Sequence, residues 1–138
     1  MHITAPVTPR NEEFEALRLG LNGFNAGFID DILRERIGAF VKDESDKVMG
    51  GILGDIKWGW LYVEGLWVDE SLRGQDWGTA LLKSLEDYAC SNGITRFRLE
   101  TTNFQALDFY KKKGYEVFAE LPDYPPRHTS YFLKKLVK

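Results

Sequence analysis

The chain has 138 residues, 43% of them hydrophobic, and a net charge of −3 from eighteen Lys and Arg against twenty-one Asp and Glu. That length buries a core without metal or disulfide support, so one domain spanning 1–138 is expected. The near balance of charge argues against nucleic acid as a main partner, and no apolar run of membrane length or signal-peptide pattern occurs, so no membrane partner is expected either. The single Cys90 has no internal disulfide partner, which points to a cytoplasmic location.

Met1 to Val7 carries β-branched and apolar residues and reads as an edge strand, after which Thr8 and Pro9 suit the start of a helix. Phe14, Leu17, Leu21 and Phe24 recur at helical spacing. Gly20, Gly23 and Gly27 interrupt that pattern, so one helix is expected to break into a second short one over Ile29–Arg36. Strand texture follows over Ile37–Lys42, Lys47–Ile56 and Trp60–Val68, separated by the turn compositions Asp43-Glu44-Ser45-Asp46 and Lys57-Trp58-Gly59. An antiparallel meander results. Gly50, Gly51 and Gly54 weaken the middle strand and imply a bulge or a close approach of another segment.

Trp60–Val68 reads as buried on both faces except at Glu64, and Gly65 beside it marks a bulge. A carboxylate in such a strand has to be paired, neutral or working. The strand runs into Arg73-Gly74-Gln75-Asp76-Trp77-Gly78-Thr79 and then into a helix over Gln75–Ser91. Ala80, Leu81, Leu82, Leu85, Tyr88 and Ala89 form its apolar stripe, and Asn92-Gly93 supplies the stop. Unpaired N–H groups and the positive end of the helix dipole then face whatever lies above a turn with little side-chain bulk, which is the build of an anion site. Cys90 reads as a packing residue near the helix end. Ile94–Thr101 follows as a strand, and strand, helix, strand in this order implies a parallel pair joined by a right-handed crossover.

Asn103 through Tyr115 reads as a short helix ended by Gly114, with a strand over Tyr115–Glu120 beyond it. Tyr110 lies at core spacing, and Lys111-Lys112-Lys113 reads as a solvated helix end or as a contact to a phosphate. Leu121-Pro122-Asp123-Tyr124-Pro125-Pro126-Arg127-His128 is a stiff loop before a last strand, Thr129–Leu136. Its polar groups Asp123, Tyr124, Arg127 and His128 suit either a substrate wall or a plain exposed loop. His128 has only His2 as a second histidine, so no metal site is expected.

Two of these stretches carry a resemblance. Arg73-Gly74-Gln75-Asp76-Trp77-Gly78 resembles the pyrophosphate loop of the GNAT superfamily of N-acetyltransferases, with Asp76 where that family usually has glycine. Asn103-Phe104-Gln105-Ala106-Leu107-Asp108-Phe109-Tyr110-Lys111-Lys112-Lys113-Gly114-Tyr115 is similar to the family pattern Asn-x-x-Ala-x-x-Phe/Leu-Tyr-x-x-x-Gly-Phe/Tyr. The likeness covers about Ile37 to Leu136. It implies an α+β fold, a mixed and mostly antiparallel sheet of six to seven strands with a parallel, splayed central pair flanked by about four helices.

The resemblance also implies the chemistry: direct transfer of an acetyl group from acetyl-CoA to a primary amine, by an N-acetyltransferase. The cofactor-binding residues it implies are Leu66, Trp67, Val68, Arg73, Gly74, Gln75, Asp76, Trp77, Gly78, Thr79, Asn103 and Tyr110. Tyr110 would protonate the leaving sulfur, and Glu64, its pKa raised by an apolar strand, would act as base directly or through a water, with Glu100 in reserve. The expected acceptor is a small-molecule or peptide amine, and a homodimer is left open. The competing readings are a non-catalytic acyl-CoA-binding module of the same fold and a partner-binding domain without any cofactor.

Overall fold

The computed structural model describes residues 1–30 and 33–138, and the chain divides into two compact units, Met1–Ile32 and Leu33–Lys138. In the first unit, helix α1 spans Asn11–Asn25. Its first turn is closed by the Arg10 N–H donating to Glu13 Oε1 at 2.9 Å, and Glu12 and Glu13 set negative charge against the positive end of the helix dipole. Two expectations fail here. Met1–Val7 forms no strand, and the helix runs unbroken through Gly20 and Gly23, ending in a turn over 26–28. A glycine costs an exposed helix only about 1 kcal/mol, too little to break one that Glu15–Arg18 pairing at 2.7 Å supports. The expected second helix does not form at Ile29, Asp30, Leu33 or Arg34, its last two residues belong to a strand, and Asp31 and Ile32 lie outside the described residues.

The second unit is a six-stranded sheet in the order β1-β2-β3-β4-β6-β5, where β1 is Glu35–Lys42, β2 Val48–Lys57, β3 Trp60–Val68, β4 Arg96–Thr102, β5 Glu116–Pro122 and β6 Thr129–Leu136. All neighbours are antiparallel except β3 and β4. Helix α2 (Trp77–Ser91) makes the crossover between that parallel pair, and the short α3 (Leu107–Lys112) links β4 to β5. Among the described residues, six strands and three α-helices therefore meet the expected architecture, with one 3-10 turn, Glu70–Leu72, as a further helical piece.

One face of the sheet carries the core: Ile52, Ile56, Leu61, Val63, Phe97, Leu99 and Leu133 alternate inward and meet Leu81, Leu82, Leu85 and Ala89 of α2. Gly54 makes that contact close, since a Cβ there would stand 2.8 Å from Leu85 Cδ2 and 2.9 Å from Leu61 Cδ1. The middle strand's glycines thus mark a close approach, and a register shift at Leu53/Gly54 adds the bulge. The stripe on α2 is narrower than its sequence suggests, because Ala80 and Tyr88 are exposed and the Tyr88 hydroxyl donates to Glu35 at 2.6 Å. Cys90 is exposed as well, turned away from the buried Ala89 beside it. No described helix is long and apolar enough to cross a membrane.

Candidate functional site

The parallel pair β3 and β4 is hydrogen-bonded over only three residue pairs, Leu61 with Phe97, Tyr62 with Arg98 and Val63 with Leu99. Past Val63, β3 stays on β2 as far as Val68, and β4 stays on β6 as far as Thr102, so the two strands part. Their facing backbone groups lose a ladder partner there, and such groups seek another donor or acceptor. The parting begins at the bulge. Leu53 faces Gly65 and Gly54 faces Val63, leaving Glu64 as the extra residue, and a bulge bends and twists its strand.

Beyond β3 the chain is fixed by Asp69, whose N–H donates to the Met49 carbonyl at 2.8 Å and whose carboxylate accepts from the Ser71 N–H at 3.0 Å and from the Ser71 hydroxyl. Arg73 Nε donates back to the Val68 carbonyl at 3.3 Å. Gly74 and Asp76 then both take positive φ, +79° and +62°, around Gln75. That alternation turns successive N–H groups toward one concavity. It also explains why glycine suits the position of Asp76, and why aspartate, which visits the left-handed region more readily than most residues, stands there without breaking the loop.

Helix α2 starts at Trp77, and its first turn closes with the Ala80 N–H on the Asp76 carbonyl at 3.1 Å. The N–H groups of Trp77, Gly78 and Thr79 have no protein partner among the described residues. Gly78 keeps the concavity open: a Cβ would point at the Phe109 ring, 3.7 Å away, and at Leu66 Cδ2, 3.9 Å away.

These parts surround a cavity of about 560 Å³. Of the residues assigned to the donor from sequence, Leu66, Trp67, Val68, Arg73, Gly74, Asp76, Trp77, Gly78 and Thr79 line it, whereas Gln75, Asn103 and Tyr110 do not. Leu72, Gln105, Ala106, Phe109, Lys112 and Lys113 complete the lining. Ala106 and Phe109 were legible as fixed positions of the second motif and the lysines as charge, but nothing local marked Gln105 or Leu72. Three cations, Arg73, Lys112 and Lys113, face a single carboxylate, Asp76, and the helix dipole adds to the positive side.

Asn103 is occupied elsewhere. Its Oδ1 accepts the Thr129 N–H at 3.0 Å and its Nδ2 lies 3.3 Å from His128 Nδ1, so it ties the start of the α3 segment to the loop before β6. Tyr110 sits in the core between Phe109 and Tyr115, with ring centroids at 5.2 and 5.7 Å, and its hydroxyl has no hydrogen-bond partner among the described residues. Burial pushes that phenol up to about 12, so it stays protonated at any working pH.

Glu64 departs from expectation. Only one face of β3 is buried; Trp67 is 51% exposed, and the Glu64 side chain reaches solvent and accepts from Arg36 Nη2 at 3.0 Å. The apolar enclosure expected around it is absent, because the bulge turns it onto the open face of the sheet. Glu100 on the neighbouring strand accepts from the Tyr62 hydroxyl at 3.1 Å and lines a second cavity of about 490 Å³. Asp123 and Tyr124 of the proline-rich loop line that cavity too, while Arg127 and His128 do not. Gln105 belongs to both linings, so the two cavities adjoin. No group of His, Cys, Asp or Glu among the described residues could hold a metal.

Residues 4–115 match the profile of the acetyltransferase (GNAT) family. The chain is 41% identical over 93 residues to a blasticidin-S acetyltransferase of Streptomyces morookaense, covering 67% of this chain and 68% of that one. An acetyltransferase structure from Bacillus cereus superimposes with a TM-score of 0.87 at 30% identity, over 99% of this chain and 100% of that one. A Bacillus anthracis structure solved in complex with acetyl coenzyme A shares the fold at a TM-score of 0.66 and 18% identity, over 81% and 67% of the two chains. With its parted parallel strands and its glycine-bearing loop at the head of α2, the chain belongs to the GNAT family of acetyltransferases.

Proposed function

We propose that the chain takes acetyl-CoA as its donor and moves the acetyl group directly to a primary amine on a small molecule or peptide, acting as one domain in the cytoplasm. The observation that carries this reading is the 560 Å³ cavity where β3 parts from β4 beside the open amides of α2. The lining supports the reading at two parts of the donor. The diphosphate finds the N–H groups of Gly74 to Thr79, with Arg73 close by and Lys112 and Lys113 available for further phosphate charge. The amides of the pantetheine arm find the unpaired edge of Leu66, Trp67 and Val68, as an added strand would.

In the transfer, the amine nitrogen forms its bond to the acetyl carbon as the carbon–sulfur bond breaks. Backbone N–H groups of Leu66 and Val68 stabilise charge on the acetyl oxygen. Tyr110, beside the cavity-lining Phe109 and with its hydroxyl uncommitted among the described residues, gives its proton to the departing sulfur, and the second proton that the nitrogen sheds as the amide forms restores the phenol. An alkyl ammonium titrates at about 10.4, so the acceptor has to lose a proton first. Glu64 takes it, through a water that its exposed position admits, and Glu100 is the alternative.

Thiol release from acetyl-CoA with a panel of amines tests the reading. Turnover is expected with the native chain, and Tyr110→Phe and Glu64→Gln should each lower kcat by about a hundredfold with the acetyl-CoA KM little changed. Binding of acetyl-CoA without release for any amine would refute transfer and leave a binding module.

A further inference from the structure

The second cavity is lined by aromatic rings, prolines and carboxylates. Its walls are Phe104, Tyr124, Pro125 and Pro126, and its charges are the carboxylates of Glu100 and Asp123. Neither carboxylate is ion-paired among the described residues, and no Lys, Arg or His lines the space. The two rings are 56% and 54% exposed, so each offers a bare aromatic face to an occupant. Phe104 is also held in place, its ring edge-on to His128 at 4.7 Å, with His128 fixed by Asn103. One buried hydroxyl of the lining, Thr102 Oγ1, has no hydrogen-bond partner.

Resting on the transfer reading above, we propose that this cavity seats the acceptor and selects a small dicationic amine built on a flat ring. The ring lies against Phe104 and Tyr124, and one ammonium stays charged at Glu100 and Asp123, where it replaces the missing counter-ion. The second nitrogen passes Gln105, the residue common to both cavities, to reach the donor. A space of 490 Å³ is the size that small-molecule sites have, and a lysine side chain would leave both aromatic walls without a partner.

The test compares para-xylylenediamine with hexamethylenediamine, which keeps two amines but lacks the ring, and with benzylamine, which keeps the ring but lacks the second cation. The native enzyme should favour para-xylylenediamine over hexamethylenediamine by about tenfold in kcat/KM, and Phe104→Ala should bring that ratio to within about twofold. Phe104→Leu, which keeps the bulk, separates loss of the ring contact from loss of folding and should give an equally low ratio at native thermal stability. Asp123→Asn, which keeps the oxygen that accepts from the Arg127 N–H, should raise the KM of para-xylylenediamine about tenfold and leave that of benzylamine unchanged.

Equal use of the two diamines, a preference for a lysine-containing tripeptide, or a ratio indifferent to Phe104→Ala overturns the proposed class while leaving transfer intact. Calorimetric titration of the two diamines reads the same preference without turnover. Thiol release failing with every amine while para-xylylenediamine still binds preferentially would therefore sink the transfer reading and uphold the ring preference.

Discussion

Replacing Asp76 by Asn removes one negative charge from the lining of the donor cavity and little else. Asn tolerates the φ of +62° at least as well, it caps a helix as well as Asp, and the Asp76 side chain makes no capping bond to lose. What changes is repulsion. A carboxylate roughly 6 Å from two phosphate charges costs about 1.4 kcal/mol at the dielectric of water before screening. Screening leaves about 1.1 kcal/mol at an ionic strength of roughly 0.01 M and about 0.7 kcal/mol at roughly 0.15 M. Asp76→Asn should therefore tighten the acetyl-CoA Kd about sevenfold at low salt and about threefold at physiological salt. Trp67 and Trp77 line the cavity and make their fluorescence the natural assay. An unchanged Kd at low salt, or a gain that does not shrink as salt rises, would refute the argument that Asp76 opposes the donor's charge.

Gly78→Ala separates folding from binding: the new Cβ meets Phe109 and Leu66 only at ordinary contact distance, so thermal stability should hold or rise by up to about 1 kcal/mol while acetyl-CoA affinity, measured by calorimetry, falls about tenfold. Gly54→Ala does the reverse, overpacking Leu85 and Leu61 at a cost of about 1–3 kcal/mol in urea unfolding. Tyr110 makes a pH prediction. Its folded value of about 12 lies above the unfolded value of about 10, so its contribution is complete below about pH 10 and is lost as pH climbs through about 12. Across that window the stability of the native chain relative to Tyr110→Phe should drop by about 2–3 kcal/mol in denaturant melts. Arg36→Ala breaks an exposed pair with Glu64 and should cost less than about 1 kcal/mol; a larger loss would show that the pair holds the bulge.

Much of the fold could be read from local pattern. Trp60–Val68 and Thr129–Leu136 hold as strands to the residue, and the Asn103 to Gly114 motif yields α3, because alternation, turn chemistry and helix stops are short-range signals. Arg73 to Thr79 was legible as a turn running into a helix for the same reason, and its seven residues reduce to two positive φ angles and a helix start. What escaped was set at long range. Glu64 looked buried because its neighbours are apolar, but the bulge turns it outward and Arg36, two strands away in the sheet, meets it there. Gln105 carries no local mark, since its place between two cavities depends on where α3 and the proline-rich loop come to rest. In the first unit, the glycine count suggested breaks that the helix absorbs, because propensity is a weak force beside an already nucleated helix.

Amide hydrogen exchange with and without acetyl-CoA reads the donor at its point of contact, because the proposed grip is by backbone rather than by side chains. Donor binding should bring new protection to Leu66 and Val68 and to Gly74–Thr79, with Trp67, already paired to β2, and Leu61–Val63 unchanged. Protection elsewhere in the chain, or none in those two segments at saturating donor, would contradict it.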